Sequence, residues 1–418
     1  MSNFPFQKSP GCRQKWAWST IYLSKSSTAS CHRVAHDKLT LETFKDFHNL
    51  PRKINDRKLM AEGTWPGGGC EYCKRIEEAN GYSDRQMHMT EEYENLTPVE
   101  LLTDPTALKV TPTVLEVYFN NTCNLKCIYC GPWFSSKIES EYDKHGPIFN
   151  EEEHPRIMHT FNLNKDYDEM VVKLFEWLKE NHHNVKSFHI LGGEPFMQDE
   201  FIKCLDFFEE NPNPNLEFVI ITNLSIGDTK MDYFIDRFAK LVGKRKLSAL
   251  QVTASLDCWG PQQEYVRSGL NLAQWQKNFE KLLKLKWVRL QVNHAMCGLS
   301  IKTMPDLLSN MRHWSSIRPI YNNFMTVQDP TFLNPDIFGA GVFDRDFDVI
   351  ESLMLDNSEH AQTAQKYMNG IRKQIENAKP NPKEILKLKF YLETLDKRRK
   401  TNYTTFFPWL VEEFRKYE

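Results

Sequence analysis

Val114-Leu-Glu-Val-Tyr-Phe119 runs, after Asn120, Asn121 and Thr122, into Cys123-Asn-Leu-Lys-Cys127-Ile-Tyr-Cys130. The first six residues read as a short, mainly apolar strand, and the three cysteines follow its C-terminal end directly. Active sites of parallel α/β barrels gather at that edge. Thiolate is the ligand that iron–sulfur clusters take, and three thiolates on a four-iron cube leave one iron open to a substrate. A structural zinc site asks for four ligands. Zinc with a remote fourth ligand, or unligated thiols, fits the same spacing.

Outward from this stretch the chain alternates. Asp166 to Glu180 carries Tyr167, Met170, Val171, Leu174, Phe175 and Leu178 at helical spacing. Strands are predicted at Val185 to Leu191, Leu216 to Thr222, Leu250 to Leu256, Val288 to His294 and Ile320 to Val327. Helices are predicted between them at Glu200 to Glu209, Met231 to Val242, Leu272 to Leu285 and Met304 to Trp314. About six strand–helix alternations predict an α/β fold with a parallel sheet wound as an open or partial barrel. The polar insertion Gly131 to Lys165 reads as a loop or lid. From Phe343 onward the pattern is mainly helical, and the basic run Lys383 to Lys400 reads as a solvated helix face.

The 418 residues predict two or three domains. We divide them as an N-terminal cysteine-rich module (1–96), a linker (97–113), a barrel (114–330) and a helical C-terminal extension (331–418). The linker holds Pro98, Pro105 and Pro112. Hydrophobic residues are 40% and charged residues 26%, and 53 basic against 55 acidic residues leave a net charge of -2. No global field argues for nucleic acid or anionic lipid. No run approaches the ~20 apolar residues of a membrane helix. Lys8, Arg13 and Lys15 have no apolar segment behind them, so no secretory signal is expected. A reducing cytoplasm is the expected compartment, where ten cysteines are metal ligands or free thiols before they are disulfides.

The central cysteines resemble the signature of radical S-adenosylmethionine (SAM) enzymes. The resemblance implies that Cys123, Cys127 and Cys130 hold a [4Fe–4S] cluster whose free iron is chelated by SAM, with Tyr129 near the adenine. Gly192-Gly193-Glu194-Pro195 ends the second strand, as the family's Gly-Gly-Glu motif does, and Glu194 would meet the methionine ammonium. Thr222-Asn223 and Ser255-Leu256-Asp257 end the third and fourth strands, where the family places ribose and carboxylate contacts. Arg267 resembles the arginine that meets the methionine carboxylate, and Asn293 at the end of the fifth strand is a further candidate. The implied fold is a partial (βα)6 TIM-type barrel. A Ser-Leu-Asp at a strand end is by itself an ordinary helix cap; its placement among the other motifs gives it meaning.

Cys12, Cys31, Cys70 and Cys73 form a second group. Four cysteines close a second cube or a tetrahedral zinc equally well. Cys70-Glu-Tyr-Cys73, followed by Glu77, Gly81, Ser83 and Arg85, is similar to the Twitch or SPASM type of auxiliary-cluster module, here preceding the barrel. The resemblance implies a second [4Fe–4S] cluster. Gly67-Gly68-Gly69 reads as a tight turn into that knuckle, and His32 as a packed or surface histidine. Leu395 to Arg399 and Phe407 to Leu410 also resemble the Twitch-containing group, with packing as their expected role. Cys204, Cys258 and Cys297 stand alone; either of the last two could face a cavity past a strand end, though a buried inert thiol is the commoner case.

The expected activity is reductive cleavage of SAM to a 5′-deoxyadenosyl radical that abstracts hydrogen from a peptide or protein. The expected electron donor is external, such as flavodoxin or ferredoxin. A nucleotide, sugar or other small-molecule substrate is the first alternative, and a non-catalytic zinc-stabilised binding protein the second.

Overall fold

In the computed structural model, which describes residues 4–78, 81–149, 161–354 and 359–418, eleven strands run in chain order. They are β1 (Trp18–Tyr22), β2 (Ser27–Ala29), β3 (Asp37–Lys38), β4 (Val114–Tyr118), β5 (Lys126–Cys127), β6 (Ser187–Leu191), β7 (Glu217–Thr222), β8 (Ala249–Ser255), β9 (Arg267–Ser268), β10 (Val288–Met296) and β11 (Tyr321–Thr326). Backbone contacts divide the chain into two units. The first comprises Met1–Asn120, Asn162–Ile220 and Asp236–Leu250, and the second Asn121–Phe161, Ile221–Ile235 and Gln251–Glu418. The division falls inside β7 and β8.

In the first unit the strand order is β7-β6-β4-β1-β2-β3. The β7, β6, β4 and β1 strands pair in parallel, while β2 and β3 add antiparallel ribbons. One face of this sheet is continuous core: Leu115, Val117, Phe188, Ile190, Phe218 and Ile220 are all buried. The helix Tyr167–Asn181 buries Tyr167, Met170, Val171, Leu174 and Leu178 as its periodicity predicts. Trp177 is buried with them and packs edge-on against Phe47 with ring centroids 4.9 Å apart.

In the second unit β8, β10 and β11 follow one another, and β10 and β11 pair in parallel. A separate two-stranded ladder joins β5 to β9. The extension contributes the helices Asp344–Leu353, Glu359–Glu376, Pro382–Arg399 and Trp409–Arg415. Leu388, Leu392, Phe407 and Leu410 enter a core with Ile128, Val266, Met296 and Phe338. Strands alternating with helices around a mostly parallel sheet define a partial TIM-type barrel with added N- and C-terminal parts.

Three expectations change. The insertion Gly131 to Lys165 is not all loop, because Ser135 caps a helix over Ser136–His145, its hydroxyl accepting from the Ile138 N–H at 3.2 Å. Residues 150–160 of that expected loop or lid lie outside the described residues. The N-terminal region also supplies β1, a parallel neighbour of β4, which the cysteine-centred reading did not foresee. The linker contains a short helix, Val99–Thr103.

Candidate functional site

The loop after β4 is held by its own hydroxyls. Ser135 Oγ donates to the Leu125 carbonyl at 2.6 Å, and Ser136 Oγ accepts from the Cys123 N–H at 3.2 Å. The Cys123, Cys127 and Cys130 side chains remain partly accessible. Desolvation pushes the Cys130 thiol up, and Cys127 and then Cys123 push it further, so the three sulfurs share one neighbourhood. Desolvation also raises Cys127, against the Arg267 guanidinium, which pulls it down.

Antiparallel pairing of β5 with β9 sets Cys127 opposite Arg267. The Arg267 guanidinium forks onto Asp257, with Nε–Oδ2 and Nη2–Oδ1 both 2.8 Å. Asp257 also accepts from Tyr129 Oη at 2.6 Å and from the Ala295 N–H at 2.9 Å. The carboxylate is fully buried. Its ion pair is therefore compensated by four donors in fixed directions, which is what a buried charge requires. Desolvation and Asp257 both raise the Tyr129 hydroxyl, so Tyr129 stays protonated and donates. The fork leaves the Arg267 Nη1 arm outside the pair with Asp257. The sequence selects Tyr129, Asp257 and Arg267 separately; the fold makes them one network.

Thr222 ends β7, and its Oγ1 accepts from the Leu224 N–H at 2.9 Å, where the backbone turns left-handed (φ 55°). Asn223 Nδ2 donates to Asn124 Oδ1 at 2.8 Å and approaches Cys123 Sγ at 3.9 Å. Ser255 closes β8, half-buried. Asn293 Oδ1 accepts from Gln291 Nε2 at 3.1 Å and Asn323 Nδ2 at 3.3 Å. Gln251 Nε2 extends this ladder to Gln291 Oε1 at 3.2 Å. Gln251, Gln291, Asn293 and Asn323 thus place uncharged amides on one face of β8, β10 and β11. Sequence reasoning found only Asn293 among them; the alternation of Gln291 and Asn293 with buried Leu290 and Val292 is the signal that could have found more.

In the first unit, Gly192 and Gly193 both have positive φ, 84° and 59°. A Cβ on Gly192 would lie 2.2 Å from Tyr118 Cδ1, so only glycine fits. Glu194 is fully buried and accepts from the Phe196 N–H at 3.2 Å, and Pro195 opens the short helix that follows.

The four N-terminal cysteines also lie in the first unit. Burial first, then Cys31 and Cys70, raise Cys12 to about 12. Burial raises Cys31 to about 11, with Cys73 contributing. The Lys15 ammonium lowers Cys12, Cys31 and Cys70 alike. Its Nζ also binds Asp56 Oδ2 at 2.6 Å, within the protein. Gly69 makes the approach possible: it has φ 120°, and a Cβ there would lie 2.0 Å from the Arg33 carbonyl oxygen. Arg85 ties the ends together, donating to Glu77 through Nε at 2.8 Å and to the Gly11 carbonyl at 2.8 Å. Ser83 Oγ also donates to Glu77, at 2.6 Å, and Gly81 N–H bonds the Ile76 carbonyl at 2.8 Å.

His32 pairs with the buried Glu116, Nε2–Oε2 3.2 Å. Cys204, Cys258 and Cys297 are fully buried. In the basic run, Lys387 and Lys389 meet Glu384 and Glu393 at 3.6 and 3.5 Å, as on an ordinary helix surface. Among the described residues no three His, Cys, Asp or Glu side chains close on a point that would hold a single metal ion. A cube spreads its thiolates over separate irons and does not ask for that arrangement. Among the described residues no helix is long and apolar enough to cross a membrane.

Residues 117–311 match the family model of the radical SAM superfamily. Over that segment, just under half of the chain, the sequence is similar to radical SAM enzymes. The family implies a [4Fe–4S] cluster and SAM, and a loop presenting three neighbouring thiols suits that cluster. No curated protein matches the chain. Solved structures similar to it include Streptococcus suis SuiB bound to precursor peptide SuiA, at 14% identity over 93% of this chain and 70% of that chain, TM-score 0.36, and Streptococcus suis SuiB, at 15% identity over 87% and 69%, TM-score 0.36. So distant an overlap bears on neither substrate nor chemistry.

Proposed function

We propose that Cys123, Cys127 and Cys130 hold the superfamily's cluster, that Cys12, Cys31, Cys70 and Cys73 hold a second [4Fe–4S] cluster of the Twitch or SPASM type, and that the substrate is a peptide or protein. The observation that carries the catalytic part is one loop presenting three cysteines, with Cys127 paired opposite Arg267 of the Tyr129–Asp257–Arg267 network, inside the segment that matches the family. With SAM bound, the cluster supplies a 5′-deoxyadenosyl radical for hydrogen abstraction.

The protein's own groups aim that chemistry. Glu194 takes the methionine ammonium, and the Nη1 arm of Arg267 takes the methionine carboxylate. Tyr129 lies beside the adenine, held by Asp257. Thr222, Asn223, Ser255 and Asn293 offer uncharged hydrogen-bonding groups, and Gly192, Gly193 and Pro195 shape the turn that presents Glu194. The amides of Gln251, Gln291 and Asn323 each carry a donor and an acceptor, as a peptide group does. They support a peptide substrate. Four thiolates would leave no open iron at the second site, so a cluster held by Cys12, Cys31, Cys70 and Cys73 would supply electron transfer. Reducing equivalents come from an external flavodoxin or ferredoxin, in the cytoplasm.

Anaerobic reconstitution tests the two-cluster reading. About eight iron atoms per chain are expected, about four per cube. Cys70→Ala with Cys73→Ala should remove about half while slow 5′-deoxyadenosine release persists. Zinc in anaerobically purified protein would overturn the second cluster.

Glu194→Gln should leave the iron content unchanged and weaken SAM binding roughly tenfold or more, since a hydrogen bond to a charged group contributes about 1.5–3 kcal/mol. Calorimetry on the reconstituted protein measures this; equal affinity would give Glu194 another role.

A further inference from the structure

The segment between Leu125 and Tyr129 is gripped from the far end of the chain. Tyr391 Oη donates to the Ile128 carbonyl at 2.6 Å, and Arg399 Nη1 donates to the Lys126 carbonyl at 3.0 Å. These are the two carbonyls that flank Cys127. Both donors sit on the helix Pro382–Arg399 and both side chains are buried or nearly so. Arg399 also forks onto Glu141, Nε–Oε2 3.1 Å and Nη2–Oε1 3.0 Å. Lys126 Nζ completes that cluster at 2.8 Å from Glu141 Oε2. Asp396 on the same helix accepts from Tyr265 Oη at 3.0 Å, one residue before Val266, whose carbonyl takes the Ile128 N–H at 2.9 Å.

Such a grip exceeds what packing a helix needs. Apolar contacts through Leu388, Leu392 and Leu395 already bury the helix. The polar groups instead converge on three consecutive residues around one thiol.

From this geometry we infer that the C-terminal helix is part of the cluster site: Tyr391 and Arg399 are positioning residues that fix the Cys127 backbone, and the Arg399–Glu141 pair sets the charge the cluster meets. The inference rests on Cys123, Cys127 and Cys130 being the cluster ligands. Cluster potentials follow net charge and nearby hydrogen bonds. Reduction adds one negative charge, which a guanidinium stabilises and a carboxylate opposes.

The test is an anaerobic potentiometric titration of the full-length reconstituted chain, following by electron paramagnetic resonance the signal that changes on adding SAM. Arg399→Gln should move its midpoint to more negative potential and Glu141→Gln to less negative potential. Arg399→Lys, which keeps the charge, should stay near wild type, and Tyr391→Phe should lose iron faster without that signed shift. If Arg399→Gln does not fold, Glu141→Gln and Arg399→Lys still decide the sign. A merely structural helix would give no shift, or the same direction in the Arg399 and Glu141 variants, and either result overturns the inference. Wild-type protein with no SAM-responsive signal would overturn the ligand assignment itself, and this inference with it.

Discussion

Cys127→Ala is expected to abolish 5′-deoxyadenosine formation. Cys127 is fixed by the pairing of β5 with β9 and by the bonds from Tyr391 and Arg399 to the carbonyls that flank it. Its side chain is small and partly accessible, so truncation leaves little cavity and the fold should persist. On the proposed assignment, what is lost is one of three thiolates on a cube that has no ligand to spare. The variant should keep its helical content by circular dichroism, and the iron of the second site proposed at Cys12, Cys31, Cys70 and Cys73 should remain. Product is measured by mass spectrometry after reduction with excess SAM. Wild-type amounts of 5′-deoxyadenosine from Cys127→Ala would remove this cysteine from the site.

From β4 onward the barrel was legible, because short apolar strands alternate with amphipathic helices, and burial against helices demands that pattern. The predicted strand Val288 to His294 and the observed Val288–Met296 differ by two residues at one end. The N-terminal region was not legible in the same way. Trp18–Tyr22 is a strand, but it follows a helix whose Arg13 and Lys15 are buried, where a sequence reading expects solvent. Their partners are remote: Lys15 meets Asp56, and Arg13 bonds the His88 and Thr90 carbonyls at 2.7 and 3.0 Å. No local pattern encodes such pairings. The site shows the same limit. Motif spacing selects Tyr129, Asp257 and Arg267 one at a time, and only folding reveals that Asp257 serves the other two. The residues around Arg399 resemble a known group by sequence, yet the bonds that give them purpose span more than two hundred and fifty positions.

The second large effect is expected at Asp257. Asp257→Ala leaves the Arg267 guanidinium buried without its counter-ion, and strands the Tyr129 hydroxyl and the Ala295 N–H. Breaking a buried pair on one side costs about 3–5 kcal/mol, because the remaining charge stays desolvated. That is a large share of the ~5–15 kcal/mol by which a domain is stable. A sharply lowered midpoint in thermal unfolding should follow. Removing both charges separates structure from chemistry. Asp257→Leu with Arg267→Met replaces the pair by apolar groups, a change that is often near neutral for stability. This double variant should recover most of the lost midpoint. It should not recover SAM binding, because Tyr129 has lost its acceptor and the arm proposed for the methionine carboxylate is gone. Calorimetry with SAM alongside the melting curve distinguishes the cases. If the double variant melts normally and also binds SAM as wild type does, the Tyr129–Asp257–Arg267 network is scaffold alone, and the cofactor is held elsewhere.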